Sequence, residues 1–314
     1  MLKYIVKRLI SMVPVIIGVT FVVFAIMHFT PGDPATLLLG EEAPPAEVER
    51  MRERMGLNDP FLVQYGNFLF GLFRLDLGLS LTTGRPVFNE ITNRLPATMQ
   101  LAAAAILVAL FIGVIMGIIA STRQYTVFDG GAMFVALLGV SMPNFWLGLM
   151  MILLFSVFWN NTFGYVLFPS SGFGTLRHLV MPAIVLGTAH ASFITRITRS
   201  SMLEVLRQDY IRTARAKGLS ERVIIYLHAL RNALMPVVTM AGLRFGVLLG
   251  GSVVTEQIFA IPGMGRLLVE SVRSQNYTLV QGIILTYAII FSLVNLAVDL
   301  LYAAIDPRIQ VQYK

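Results

Sequence analysis

The 314-residue chain is 56% hydrophobic and 13% charged, and its mean hydropathy is +0.74. Soluble domains are roughly 45–50% apolar and about 25% charged, so an ordinary soluble fold is excluded. The absence of cysteine excludes disulfides, thiolate metal sites and cysteine nucleophiles. A net charge of +7 suits nucleic acid or an anionic membrane surface. The cations lie between the apolar runs, so we expect a lipid bilayer and no nucleic acid as the partner.

The apolar runs predict an all-α polytopic membrane protein with six transmembrane helices. A hydrocarbon core of about 30 Å takes about 20 helical residues to cross, and backbone groups in lipid must be satisfied within the helix. The predicted spans are residues 9–29, 97–120, 131–158, 180–198, 236–257 and 280–304. The first span is too long for a signal-peptide core and lacks a small-x-small cleavage site, so we expect it to stay uncleaved.

The distribution of Lys and Arg predicts that both termini are cytoplasmic, because short cytoplasmic loops carry an excess of basic residues. With the N-terminus inside, the inner segments hold most of the cations and the short outer loops hold few. The inner cations are Lys3, Lys7, Arg8, Arg123, the dense set within residues 199–231, Arg308 and Lys314. The outer ones are Arg177, Arg266 and Arg273.

Residues 31–95 predict a small, partly helical external domain between the first two spans. Pro44 and Pro45 precede the run AEVERMRERM, whose mixed charges recur at helical spacing and which ends at Gly56. Residues 61–75 are apolar but short, and counting them as a span would turn the basic 199–231 segment outward. An interfacial or packed re-entrant helix is therefore the favoured interpretation.

Glycine and proline within the spans predict kinks and close packing. Kinks are expected at Gly139 and Pro143 in the third span and at Pro182 in the fourth. Several small residues later in the chain would let helix backbones approach closely: Gly242, Gly246, Gly250, Gly251 and Ser252. They serve packing alone or mark a mobile helix that lines a pathway.

The most informative segment is the basic loop from Glu204 to Pro236. Tyr210, Ile211 and Ala214 recur at helical spacing. Gly218 is expected to stop this helix, Ser220 to N-cap a second one and Pro236 to close it. Two short helices meeting at a glycine would form a compact basic knob suited to a groove on a soluble partner. The alternative is a loop that only anchors at anionic lipid headgroups.

This loop resembles the EAA loop of ABC-importer permeases, in which an alanine precedes a glycine that is followed by a proline, here Gly218 and Pro236. The run DYIRTARAKG is similar to the dipeptide, oligopeptide and glutathione branch, with Arg212 and Thr213 where other branches have Glu and Ala. The resemblance implies that the first helix docks as a coupling helix on an ATPase subunit. The implied coupling residues are Asp209, Tyr210, Arg212, Thr213, Ala214, Arg215, Ala216, Lys217, Gly218, Leu219 and Pro236.

Other stretches along nearly the whole chain resemble the same branch. They are TPGDP at 30–34, MGLNDP at 55–60, DLGLS at 76–80, RLPAT at 94–98, TRSSMLEVL at 198–206 and PGMGRLL at 262–268. The resemblance implies a type I ABC importer permease fold in a bacterial inner membrane. It also implies a heterodimer with a second homologous permease, two ATP-binding subunits and an external solute-binding protein.

The implied division of the chain has four parts. They are 1–30 for the cytoplasmic N-terminus and first span, 31–95 for the external domain, 96–305 for the permease core with its coupling loop at 204–236, and 306–314 for a cytoplasmic tail. The chain contains no G-x-x-x-x-G-K-[ST] phosphate-binding loop. We therefore expect a transport subunit without an ATPase site or cofactor of its own, with ATP and Mg²⁺ on partner subunits.

Ionisable residues in or near spans are costly in lipid and usually face protein or water. Arg244 and Asp299 have similar predicted depths, so they either form an intramembrane ion pair or snorkel separately to the headgroups. Glu256 is either part of an external mouth or an exposed interfacial carboxylate. The residues grouped as that mouth are Glu256, Pro262, Gly263 and Gly265. Asp129 is expected to N-cap the third span.

Chemistry within the membrane is not predicted. The histidines His28, His178, His190 and His228 are far apart in sequence, so we expect no metal site. His190 lies near Thr188 and Ser192, where a hydrogen-bonded packing role competes with substrate contact. An intramembrane enzyme would need paired acids or metal ligands at span depth, and none is evident.

The function favoured is ATPase-driven alternating access for a peptide or similar small solute. The alternative is a stand-alone secondary transporter or channel, which predicts inverted repeats or ionisable relays that the sequence does not show. Dipeptide, longer peptide, glutathione, nickel chelate or another small solute all remain open as cargo.

Overall fold

The computed structural model describes residues 2–40 and 42–305, with side chains for 6–40 and 42–300. Within these ranges the secondary structure is α-helical apart from π-helical turns and one antiparallel bridge between Leu79 and Pro86. Six helices are long and apolar enough to cross a membrane: Val6–Phe29, Val87–Thr122, Asn144–Phe163, Leu176–Leu206, Glu221–Gly251 and Tyr277–Leu300. The predicted all-α fold with six spans is confirmed. The predicted tail at 306–314 lies outside the described residues.

Most consecutive helices are joined by short connections, and residues 74–86 and 164–175 form longer ones. In chain order they are α1 (Leu2–Phe29), α2 (Pro34–Leu39), α3 (Pro45–Arg54), α4 (Phe61–Phe73), α5 (Val87–Thr122), α6 (Val127–Ser141), α7 (Asn144–Ile152), α8 (Trp159–Phe163), α9 (Leu176–Leu206), α10 (Asp209–Ala216), α11 (Glu221–Val223), α12 (Leu230–Gly251), α13 (Val253–Ile258), α14 (Met264–Arg273) and α15 (Tyr277–Ile305). π-helical turns at Leu153–Phe158 and Ile224–Ala229 join α7 to α8 and α11 to α12. The chain divides into two compact units, Met1–Thr98 with Pro262–Ser292 and Met99–Ile261 with Leu293–Lys314.

In the first unit, α4 packs along α1. The Tyr65 hydroxyl donates to the Ile17 carbonyl oxygen at 3.1 Å and lies 3.0 Å from the Thr20 hydroxyl. The ring of Phe24 lies 5.4 Å from that of Phe61 and 5.5 Å from that of Tyr65. Thirteen residues at about 1.5 Å each reach only about 20 Å, too short to cross the bilayer. The structure thus agrees with a packed helix over residues 61–75.

The core of the first unit brings together the motifs that lie far apart in the sequence. Apolar side chains of α5, α14 and α15 form a cluster: Val87, Ile91, Met264, Leu267, Leu279 and Ile283. The Met264 backbone N–H donates to Thr98 Oγ1 at 2.8 Å. The fully buried Asn276 donates to the Ser80 hydroxyl at 2.8 Å and accepts from the Leu81 N–H at 3.1 Å. PGMGRLL, RLPAT and DLGLS therefore meet in one hydrogen-bonded core.

In the second unit, α5 and α9 approach closely at glycines. A Cβ on Gly113 would lie 2.6 Å from the Ile194 side chain, and one on Gly117 would meet Thr198. The fully buried side chains of Ala109, Ile194 and Val237 form a second cluster with Ala241 between α5, α9 and α12. Gly242 also packs tightly against Val298, whereas Gly250 and Gly251 face open space. Close packing is thus observed at Gly242, and these contacts do not test a role in a pathway.

We expect Gly113→Val to lower the thermal unfolding midpoint of the detergent-solubilised protein, because the new side chain must push α9 away from α5. Overpacking of this kind costs about 1–3 kcal/mol. Gly130→Val is the matched control, since no atom of the described residues lies within 4 Å of the Cβ that it would add. A midpoint for Gly113→Val equal to that of Gly130→Val would contradict the proposed role of the glycine.

The predicted third span is wrong in its course. Residues 131–158 do not form one helix: α6 ends at Ser141, Met142 is extended with φ −83° and ψ 126°, and α7 starts after Pro143. The ring of Pro143 disfavours helical geometry at the preceding residue, so the helix ends there instead of kinking. The apolar helix long enough to span is Asn144–Phe163, and Gly139 lies in α6 where a Cβ would come within 2.6 Å of the Thr188 carbonyl oxygen.

Pro236 does not close the second helix of the loop, contrary to the prediction. It lies inside α12, and the helix from Glu221 to Gly251 runs through it. The buried neighbours Ala233 and Val237 each join a packed cluster, so tertiary contacts hold the helix on both sides of the proline. Prolines are tolerated in membrane helices for this reason. Pro182 likewise lies inside α9, which begins at Leu176.

Candidate functional site

The predicted coupling segment forms a short helix, α10, with one buried and one exposed face. Ile211 and Ala214, three residues apart, are buried. They pack with Met202 of α9, Ile224 and Ala229 of the π-helical turn, and Ala233 of α12. This cluster holds α10 against the ends of two candidate spans. The expected knob is therefore present as a packed structure.

Gly218 ends α10 in a Schellman motif. Its φ is +77°, in the left-handed region that glycine adopts without strain. The Gly218 N–H donates to the Arg215 carbonyl oxygen at 2.9 Å, and the Leu219 N–H donates to that of Ala214 at 3.3 Å. The prediction that Gly218 stops the helix is confirmed. Ser220 occupies the N-cap position of α11, but its side chain makes no capping hydrogen bond.

Two side-chain contacts tie α10 to the helix that follows. The Arg215 guanidinium donates from Nε and Nη2 to the two carboxylate oxygens of Glu221 at 2.8 and 3.3 Å. Both side chains are exposed, so the pair contributes at most about 1 kcal/mol to stability. Asn232 Nδ2 donates to the Tyr210 hydroxyl at 2.8 Å. These contacts within the chain thus fold the knob before any partner binds.

The outer face of the knob carries small and basic side chains. Exposed residues include Arg212, Thr213, Ala216 and Lys217, while Leu219 and Tyr210 are 41% and 44% exposed. Asp209 carries the acidic charge of this face, 3.8 Å from Arg212. Of the predicted coupling residues, Asp209 to Leu219 come together on the knob, and Pro236 lies apart in α12.

An ion pair that sequence reasoning missed lies in the same unit. Arg199 of α9 donates from Nε and Nη2 to the carboxylate of Asp129 at 2.8 and 2.7 Å. Asp129 also accepts from the Tyr125 N–H at 3.1 Å. The N-cap position of α6 is Thr126, so the predicted N-cap role of Asp129 is wrong: Asp129 is the third residue of the helix, and its carboxylate bonds to Arg199 of α9. The only sequence signal was an acidic residue between two predicted spans.

The pKa of Asp129 lies below its ordinary value of 3.8, chiefly because Arg199 donates hydrogen bonds to the carboxylate. The carboxylate is therefore charged at neutral pH. With side-chain exposures of 10% for Asp129 and 27% for Arg199, the pair is shielded from solvent. The ion pair joins α6 to α9 one turn before Met202, which belongs to the cluster that packs the knob.

The Arg244 guanidinium lies 3.6 Å from the centroid of the Phe193 ring, a cation–π contact between α12 and α9. Asp299 is half-buried in α15, and its pairing with Arg244 stays a prediction. Nδ1 of His190 has no hydrogen-bond partner in the described part of the chain, so it lacks the bond expected of a packing role. Within the same part, no group of three His, Asp or Glu side chains could hold a metal ion.

The residues predicted for an external mouth belong to two helices, α13 and α14, and to the segment between them. Glu256 of α13 is fully buried and accepts a hydrogen bond from the Ser252 hydroxyl at 2.9 Å, so the alternative of an exposed interfacial carboxylate is wrong. Gly263 is the N-cap of α14, and Gly265 is buried in its first turn. Pro262 precedes them and is half-buried. Their grouping as a mouth stays a prediction.

Two protein-family models match the chain. The model for the binding-protein-dependent transport system inner membrane component matches residues 109–311, and the model for the N-terminal region of such components matches residues 1–102. The chain belongs to this family. It is thus the permease component of an ABC transporter, a transport subunit and a multi-pass protein of the inner membrane.

Peptide and dipeptide transport permeases align with this permease over nearly its full length. It is 46% identical to the dipeptide transport system permease DppB of Alkalihalophilus pseudofirmus, over 99% of this chain and 100% of the relative. It is 41% identical to DppB of Escherichia coli K12, over 99% of both chains. A putative peptide transport permease of Brucella abortus is 46% identical over 99% of both chains.

Solved structures share the fold of this permease. A chain of the MetNI methionine ABC transporter in an inward-facing conformation superimposes with a TM-score of 0.56 and 20% identity, over 68% of this chain and 95% of that chain. A chain of an amino acid ABC transporter gives a TM-score of 0.51 at 14% identity, over 69% and 94%. The expected type I importer permease fold is confirmed, and the family membership decides against a stand-alone channel or an intramembrane enzyme.

Proposed function

We propose that this permease forms, with a second homologous permease, the pathway by which an ATP-driven importer takes up dipeptides or similar short peptides. The observation that carries the cargo class is the 41–46% identity to dipeptide permeases over 99% of the chain. Two ATP-binding subunits drive the cycle, and an external solute-binding protein delivers the peptide. ATP and Mg²⁺ bind to the partner subunits, and this chain makes or breaks no covalent bond.

The knob around Gly218 is the proposed docking site for an ATP-binding subunit. Its inner face is packed by Ile211 and Ala214, which leaves the outer face of α10 for a partner. A small alanine flanked by basic side chains suits a groove with acidic rims. Because α10 also packs against the ends of α9 and α12, movement of the docked subunit would reach both spans. This arrangement supports alternating access without a chemical step in the permease.

The cargo is tested by uptake into proteoliposomes. The permease would be reconstituted with its partner permease, ATP-binding subunits and loaded binding protein, with ATP on the ATPase side. We expect ATP-dependent accumulation of a radiolabelled dipeptide that excess unlabelled dipeptide suppresses more strongly than glutathione or a nickel chelate. Stronger suppression by either of those solutes would overturn the dipeptide assignment. Accumulation without added ATP would overturn the importer assignment.

The orientation is tested by labelling, which the cysteine-free chain makes simple. We propose that both termini and the knob are cytoplasmic and that α3 is external. A Lys217→Cys variant should react with a membrane-impermeant maleimide only after cells are permeabilised. A Glu47→Cys variant on α3 should react in spheroplasts without permeabilisation, since that position is exposed. The opposite labelling pattern would place the knob outside, where no ATPase could reach it.

A further inference from the structure

A basic cleft opens beside the knob. Its volume is about 520 Å³, and it lies where the C-terminal ends of α5 and α9 meet α10 and α11. Its charged lining consists of Arg123, Arg207, Arg215 and Glu221. We call this the arginine cleft. All of its lining residues belong to the second unit.

Among the described residues, no acidic side chain forms an ion pair with two of the three arginines in the cleft. The Glu221 carboxylate accepts from both Nε and Nη2 of Arg215, so that pair is internally balanced. None of the ion pairs among the described residues includes Arg123 or Arg207, and both side chains are exposed. The Arg123 guanidinium lies 4.2 Å from the centroid of the Phe128 ring. The cleft therefore presents two net positive charges.

The polar remainder of the cleft can complete the coordination of an anion. Gln124 and the hydroxyl-bearing Thr122 and Thr126 line it. The two threonine hydroxyls already donate to backbone carbonyl oxygens of their own helices or turns. The polar donors for an anion are therefore the two N–H bonds of the Gln124 amide. Guanidinium and amide donors together suit phosphate oxygens. Phosphate is thus the favoured chemical class.

The position of the cleft favours a phosphate carried by a lipid. Arg123 and Arg207 directly follow the last residues of two candidate spans of 36 and 31 residues. Helices of this length exceed the hydrocarbon core, so both arginines lie outside it, at or past the headgroup layer. Beside Arg123, Tyr125 and Val127 are each 89% exposed, and tyrosine is enriched at membrane–water interfaces. Apolar side chains also line the cleft: Leu203, Leu206 and Ile225. A free phosphate would leave these apolar side chains uncovered, whereas the glycerol and first methylenes of a phospholipid would pack against them.

We propose that the arginine cleft binds the headgroup of an anionic phospholipid, with Arg123 and Arg207 contacting its phosphate. The bound lipid would lie against the same Arg215–Glu221 pair that joins α10 to α11. Anionic lipid would thus be a structural partner of the knob.

The test measures lipid binding to the purified full-length chain by native mass spectrometry. The probes are phosphatidylglycerol, phosphatidylcholine with the same acyl chains, and glycerol 3-phosphate. We expect phosphatidylglycerol to bind more tightly than phosphatidylcholine. Arg123→Gln and Arg207→Gln should each weaken its binding about fivefold, the effect of one basic residue near an anionic surface, and leave phosphatidylcholine unchanged. Arg222→Gln, an exposed arginine of α11 outside the cleft, is the matched control and should change nothing.

Three outcomes would overturn the proposal. Equal binding of the two lipids would remove the anionic selectivity. Glycerol 3-phosphate binding as tightly as phosphatidylglycerol would identify a site for soluble phosphate. Loss of the lipid preference once the permease is assembled with its ATP-binding subunits would show that a partner side chain, and not lipid, occupies the cleft. Retention of the preference in that assembly, together with its reduction of about fivefold in Arg207→Gln, supports the lipid site.

Discussion

Replacing Gly218 with valine is expected to reduce ATP-driven peptide uptake about tenfold, the effect of a loss of about 1.4 kcal/mol in docking free energy. At φ +77° a non-glycine residue costs roughly 1–2 kcal/mol, and a β-branched residue is the least tolerant. To relieve the strain, the turn would give up the hydrogen bonds from Gly218 and Leu219 that end α10. The ATP-binding subunits recovered by pull-down on the tagged permease, and the peptide transported per ATP hydrolysed, are the two measurements.

The control separates backbone strain from side-chain bulk. In the part of the chain that the structure describes, no atom lies within 4 Å of a Cβ built on Gly218, so neither substitution meets a steric barrier there. Gly218→Asn adds a side chain of similar size to valine but tolerates the left-handed region, and should keep most of the uptake. If the asparagine variant loses as much uptake as the valine variant, docking does not tolerate any side chain at position 218, and the strain explanation is wrong.

Replacing Arg199 with methionine is expected to destabilise the permease by about 3 kcal/mol, because it leaves the shielded carboxylate of Asp129 without its two charged donors. The thermal unfolding midpoint in detergent would fall accordingly. Arg196→Met is the matched control, since Arg196 is exposed on the same helix and takes part in none of the ion pairs of the described residues. The double variant Asp129→Asn with Arg199→Gln should recover part of the loss. Equal midpoints for Arg199→Met and Arg196→Met would contradict the role of the pair.

The same pair predicts a dependence on pH. The pKa of Asp129 is lower in the folded state than its ordinary value, chiefly because Arg199 donates hydrogen bonds to the carboxylate. A depressed folded pKa stabilises the protein above the unfolded pKa, and this stabilisation is lost as the pH falls through the folded pKa. The difference in unfolding midpoint between wild type and Asp129→Asn should therefore be constant near neutral pH and shrink below pH 3.8. A difference that already shrinks between pH 7 and 6 would assign the effect to another group.

The number of spans and the knob were predictable from the sequence because both depend on local patterns. Apolar length sets the spans, and glycine at position 218 ends α10 by backbone geometry alone. The helix over residues 61–75 was also correctly kept out of the count. Its polar interruptions and short length outweighed its hydropathy.

The errors arose where tertiary contacts decide. Pro143 and Pro236 carry the same local signal, yet one ends a helix and the other lies within one, because buried neighbours hold the helix at Pro236. The partner of Asp129 is 70 residues away in the sequence, and no spacing rule finds it. Asn276 reaches back by 196 residues to Ser80 for the same reason. Polar pairs between residues so far apart in the sequence are found only from the three-dimensional structure.

The helix from Glu221 to Gly251 has two weak points in its ladder of hydrogen bonds. One is the π-helical turn at Ile224–Ala229, and the other is Pro236, which cannot donate to the Asn232 carbonyl. Both precede the contacts that Val237 and Ala241 make in the α5–α9–α12 cluster. If a docked subunit displaces the knob, the helix would therefore bend at these two points. The part of the helix after Pro236 would then rotate as one rigid segment about its contacts with α5 and α9.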